Sequence, residues 1–116
     1  VDNLSDEKRL TPQVVAADIA REFREDARRW TQKACARDGN GYSCDENDSA
    51  AVCYCLRGAI NKRVSWDNDL NHEVCQAFDI ALGHEPTETY RFVAWNDSPG
   101  RTVGEVIGLC EKVAAS

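Results

Sequence analysis

Several things this chain lacks narrow its possible roles. No stretch approaches the roughly 20 apolar residues that a membrane-spanning helix requires, so a membrane partner is not expected. The six cysteines include no Cys-x-x-Cys pair, and only two histidines, His72 and His84, are present to act as ligands or bases. Val1 to Leu10 are polar and mixed in charge, without the apolar run of a secretion signal. They are expected to form a flexible arm ahead of a single domain over residues 11–116. Basic residues are in deficit: 14 Lys and Arg against 20 Asp and Glu give a formal net charge of −6. A general nucleic-acid binder carries the opposite sign. There is no internal repeat and no low-complexity tract. The expectation is a small, acidic, cytoplasmic protein with one hydrophobic core.

What is present reads as helix. Thr11-Pro12 has the residue types of an N-cap and a first helical position. From there Val15, Ile19, Phe23, Ala27, Trp30 and Ala34 continue along one face, which predicts a long first helix with a charged, solvated outer side. Residues 38–49 are a loop by composition. Asp38 and Asn40 fall at positions one and three of a calcium loop. Tyr42, Ser43 and Ser49 then break that pattern where a ligand, a glycine and a bidentate Glu are needed. Residues 50–60 predict a short helix with Val52, Cys55, Leu56 and Ala59 inward and Gly58 allowing close packing. A polar connection with Trp66 tucked against the domain leads to a third helix over about 70–82, ended by Gly83. Residues 90–95 are apolar and aromatic but too short to classify.

The most informative stretch closes the chain: Trp95 to Ala115, a dense polar turn running into an amphipathic helix. Thr102 and Glu105 have the spacing of a capping box. Val103, Val106, Ile107, Cys110, Val113 and Ala114 form the apolar stripe behind it. Gly104 and Gly108 weaken this helix and either admit a close neighbour or sit idle on its surface. Pro99-Gly100 forces the turn. Within it Asn96, Asp97 and Arg101 are the candidate binding residues. Asp97 can pair with Arg101, or Arg101 can cover Trp95. Alternatively, Arg101 and the amides of the helix N-terminus face an anion or a partner's carboxylate.

Three separated pieces resemble one family. Trp30-Thr31-Gln32 with Ala36-Arg37-Asp38 matches a "WxQ…ARD" pattern, and Ala51 to Cys55 with Gly58-Ala59-Ile60 matches "AVxxCxxGAI". Trp95-Asn96-Asp97 with Pro99 to Thr102 and Glu105-Val106 matches "WNDxPGRTxxEV". Together, over about residues 11–115, they resemble a family of small bacterial and phage proteins of unknown function. The resemblance implies a compact cytoplasmic protein and carries no activity, ligand or catalytic residue. Members often have a small residue near Lys33. Cysteines 35, 44, 75 and 110 are extra to the pattern, which argues against a metal site shared by the family.

The remaining chemistry does not assemble. A zinc site would draw on Cys53, Cys55, His72 and Cys75, yet on a helix Cys53 and Cys55 diverge by about 200°. No cofactor and no metal are therefore expected. Thiol catalysis needs a depressed thiol pKa and an adjacent base, and neither histidine is placed beside a cysteine. The thiols are expected to be reduced, with Cys35, Cys55 and Cys110 on apolar helix faces as small hydrophobes. The expected architecture is all-α, about four helices around Ile19, Phe23, Trp30, Val52, Leu56, Val74, Phe78, Trp95, Ile107 and Cys110. The expected function is a non-enzymatic interaction module whose partner is another protein. The alternative is a small enzyme or ligand-binding protein with its site beside the WNDSPGRT turn.

Overall fold

The structure, a computed structural model, describes residues 10–116, so the expectation of a flexible N-terminal arm lies almost wholly outside the described residues. Helix α1 runs Pro12–Glu25. Thr11 caps it, its hydroxyl accepting the Val14 amide at 3.1 Å, and Val15, Ile19 and Phe23 are buried along its inner face. It stops well short of the expected length. Asp26 adopts an extended conformation, and its carboxylate accepts the Arg28 amide at 3.0 Å, which starts a separate 3₁₀ turn, Ala27–Arg29. A short polar side chain that bonds its own downstream backbone competes with helix continuation, and here it overrides the apolar spacing.

A small sheet in the next stretch of chain overturns the all-α expectation. Three short strands, β1 (Ala36–Asp38), β2 (Ser43–Cys44) and β3 (Ala51–Tyr54), form an antiparallel sheet in the order β2-β1-β3. With five helices beside this sheet among the described residues, the fold is mixed α/β. Ala36 faces Cys44 on one side and Tyr54 on the other, and Arg37 faces Ser43 and Cys53. The segment resembling a calcium loop, residues 38–49, is not all loop: it begins as the β1–β2 turn, includes β2 and ends in the β2–β3 connection. In the β1–β2 turn Oδ1 of Asp38 accepts the amides of Asn40 and Tyr42, and Gly41 supplies the positive φ of 85°. Residues 51–54, expected to be helical, form a strand instead, in which Val52 is 53% exposed and Tyr54 is buried. Val52 therefore leaves the core to which the sequence assigned it.

Helix α2 (Leu56–Arg63) starts at Cys55, whose Sγ accepts the Gly58 amide. Helix α3 (Asp69–Ala81) matches the expected third helix and ends at Gly83 with φ 89°. Between them Trp66 is 74% exposed rather than tucked in. Of residues 90–95, left unclassified by the sequence, Tyr90 is the extended N-cap and the rest belong to helix α4 (Arg91–Asn96), whose N-terminus is capped from α3. The buried Asp79 carboxylate accepts the amides of Arg91 at 3.0 Å and Phe92 at 2.8 Å. Helix α5 (Val103–Ala114) carries the expected capping box and packs along α1. Nothing approaches Gly108, and Gly104 meets only Thr102, so these glycines are not packing sites. One continuous core takes residues from all five helices, β1 and β3. Leu56, Val74, Phe78 and Cys110 are buried as expected, while Trp30, Trp95 and Ile107 pack against the core partly exposed.

Candidate functional site

The polar turn after α4 is a junction between two distant parts of the chain. Asn96 is buried and uses both ends of its amide: Oδ1 accepts from the Trp30 indole at 2.7 Å and the Leu56 amide at 3.2 Å. Its Nδ2 donates to the Thr31 carbonyl and to Asp97. Gln32 donates to the carbonyls of Asn96 and Ser98, both at 2.9 Å. Asp97 accepts the amide of Lys33 at 2.8 Å. The tryptophan and glutamine of one sequence pattern thus bind the asparagine of another, and the amide of Lys33 beside them binds its aspartate.

Arg101 does not pair with Asp97. Its guanidinium lies over the Trp95 ring, 4.0 Å from the centroid, donates through Nε to the Trp95 carbonyl, and meets Glu105 at 3.0 Å. Thr102 and Glu105 exchange the cap hydrogen bonds that an external anion would otherwise take. All three candidate residues come together at this turn, with their polar groups engaged by neighbours within the fold.

The junction holds Trp30–Lys33 beside the sheet, where Trp30 bridges to Tyr54 and the Thr31 amide donates to the Tyr54 carbonyl at 3.0 Å. This leaves a cleft of about 680 Å³ between the end of α1, the 3₁₀ turn, β3 and α2, lined by Glu22, Asp26, Arg28, Arg29, Val52, Tyr54 and Lys62 among others. Sequence reasoning placed Glu22 on a solvated face, but it is buried and takes Arg63 at 2.6 Å, Arg29 at 3.4 Å and Lys62 at 3.5 Å. Asp18, one turn earlier, takes Arg63 at 2.7 Å and also Arg21. Two carboxylates therefore face four cations. The Arg63 hydrogen bond holds Asp18 below the usual carboxylate range. Burial pushes Glu22 up, and Arg63 and Lys62 bring it below its ordinary value all the same. Lys62 also sits over the Tyr54 ring, 4.3 Å from its centroid. The i, i+4 placement of Asp18 and Glu22 on α1 was the available sequence signal, but their partner Arg63 lies at the end of a helix read as ending near residue 60.

Lys62 lines a second, smaller cleft of about 270 Å³ with Trp66, Glu46 and Asn61. A third, mainly apolar groove of about 510 Å³ lies along the start of α1. No group of three or more metal-binding side chains gathers among the described residues. Of the zinc candidates, Cys53 lies on β3, Cys55 caps α2, His72 meets the Tyr90 hydroxyl and Cys75 faces Arg57. None of the six cysteines is bonded to another. Cys35 is exposed ahead of β1, and Cys55 precedes α2, so only Cys110 of the three lies within a helix. No helix among the described residues is long and apolar enough to cross a membrane.

Hydrogen bonds thus lock the segment Trp30–Lys33 to the turn at Asn96–Ser98. The chain belongs to the family of unknown function DUF6197, which it matches over residues 9–116. No curated protein and no solved structure matches it.

Proposed function

We propose that this protein is a non-catalytic interaction module that docks an acidic segment of another protein in the cleft between the 3₁₀ turn and β3–α2. The lining of the cleft carries the reading: Arg28, Arg29 and Lys62 outnumber Glu22 and Asp26 there, in a chain of net charge −6. A carboxylate entering the cleft would meet Arg29 and Lys62, both held at long range by Glu22 and both partly exposed. Beside them Val52 and Trp66 are exposed, and Trp and Arg are the side chains that dominate binding at protein interfaces. In this reading the WND turn is the brace that sets one wall of the cleft.

The test is a titration of isotopically labelled protein with a peptide that alternates Glu with Leu, monitored by backbone amide shifts. Shifts concentrated at Arg28, Arg29, Val52, Lys62 and Trp66 are expected. Arg29→Ala with Lys62→Ala should weaken binding by about tenfold, and binding should weaken with added salt. Shifts centred on Asn96, Asp97 and Arg101 would move the site to the turn, and no saturable shift would sink the reading.

A further inference from the structure

The strand register brings two cysteines face to face. The ladder ends with Ala36 opposite Tyr54, and one residue beyond it the Cys55 amide donates to the Cys35 carbonyl at 3.2 Å, which sets Cys35 opposite Cys55. Residues opposed on antiparallel chains have Cα atoms about 4.5–5.5 Å apart with both side chains on one face. That lies inside the Cα range of disulfides, about 4.4–6.8 Å. The approach is made possible by Gly58, since a Cβ there would lie 1.9 Å from the Cys35 oxygen. Cys35 is exposed and Cys55 buried, so a reagent in solution reaches the first and the second stands behind it.

The other thiols are not so placed. Cys44 on β2 and Cys53 on β3 have β1 between them, and two strand spacings of about 9.5 Å exceed what a disulfide spans. Cys75 and Cys110 lie in α3 and α5.

We propose that Cys35 and Cys55 are a disulfide-forming pair that closes on exposure to a small-molecule disulfide such as oxidised glutathione. The Cys35 thiolate attacks one sulfur of the oxidant, forms a mixed disulfide and expels one glutathione thiolate. The Cys55 thiolate then attacks the Cys35 sulfur, forms the intramolecular bond and expels the second. Two electrons pass to the oxidant, and the two thiol protons end on the released thiolates.

Burial raises both thiols, Cys55 to about 11. Asp45 and Glu46 beside Cys35, and Asp97 beside Cys55, push the same way against Arg57 and the Gly58 amide. Exchange therefore quickens as pH rises, and the closed bond opens slowly because high-pKa thiols leave poorly. The pair is a slow staple across the β1–β3 ladder.

The experiment treats reduced protein with oxidised glutathione at pH 8.5, blocks free thiols by alkylation, and maps peptides by mass. The expected result is a loss of two hydrogens, a Cys35–Cys55 cross-linked peptide, and a Tm raised on the order of 10 °C. Cys44→Ser and Cys53→Ser should leave the bridge intact, and the exposed-site variant Cys35→Ser should abolish it. Six alkylated thiols, a persistent glutathione adduct on Cys35, a different pair or a link between chains would each overturn the proposal.

Discussion

The carbonyl oxygen of Cys35 lies 1.9 Å from where a Cβ on Gly58 would stand, with the Cys35 carbonyl carbon at 2.8 Å. Gly58 is in α2, where alanine would ordinarily improve helix stability by about 1 kcal/mol. Here the obstacle is backbone, which cannot swing aside as a side chain can. Gly58→Ala must separate α2 from the strand junction, and overpacking of this kind costs at least about 1–3 kcal/mol. A melt should show Tm lowered by at least about 4 °C, at roughly 4–8 °C per kcal/mol. A stabilised Gly58→Ala would show that the contact is not made.

Asp18 and Glu22 give the fold an acid limb. Both carboxyls are held below their ordinary values of 3.8 and 4.5. The stability they contribute is fully present above those values and drains as pH falls through the lower folded ones. Tm should therefore fall on acidification from about pH 5. Glu22→Gln removes the charge that Arg63, Arg29 and Lys62 share, and breaking a buried pair costs about 3 kcal/mol. The variant should be less stable at pH 7, with a flatter dependence below pH 5. An unchanged acid limb in Glu22→Gln would refute the assignment.

An alkaline limb of opposite sign arises from the thiols. Burial raises Cys55 and Cys75 to about 11 and Cys110 to about 12, against an ordinary 9.0. A raised thiol favours the fold while neutral, so this stability is intact below pH 9 and is lost as pH climbs through the folded values. Melts between pH 8 and 11 should show the decline. In native protein at neutral pH, iodoacetamide should reach the exposed Cys35 well before Cys55, Cys75 or Cys110, which a timed alkylation series reads directly.

The parts of this fold legible in the sequence were those fixed by local chemistry. The Thr102–Glu105 capping box, the Thr11-Pro12 start and the Gly83 stop each act within a few residues, and each stands as read. The sheet was hidden because its strands have two to four residues, too short for alternation to outweigh the helical spacing of apolar side chains. Ala27, Trp30 and Ala34 continued that spacing beyond α1, and only the backbone bond made by Asp26 stopped the helix. At the turn, the sequence found Asn96, Asp97 and Arg101, with Trp95 as one of two partners offered for Arg101, but not the partners of Asn96 and Asp97. Trp30, Gln32 and Lys33 lie more than 60 residues away, beyond the reach of any local pattern.

Asp97 offers the sharpest test of what the turn does. Its Oδ1 accepts the amides of Lys33 and of the Asn96 side chain, at 2.8 and 2.9 Å. Lys33 is the one non-glycine with positive φ among the described residues, at 66°, a conformation that costs an L-residue about 1–2 kcal/mol. Asp97→Ala strands the Asn96 donor and releases the strained segment, and an unpaired buried donor costs about 1–3 kcal/mol. Tm should fall by roughly 4–8 °C for each kcal/mol lost. Lys33→Gly removes the strain and loses little packing, since Lys33 is exposed. It should hold or raise Tm and partly restore the Asp97→Ala protein. Arg101→Lys gives up the planar stack on Trp95, worth about 0.5–1 kcal/mol when exposed, and should cost less than Asp97→Ala. If Asp97→Ala melts like the wild type and yet loses the acidic-peptide shifts, the turn itself is the binding site and the brace is not.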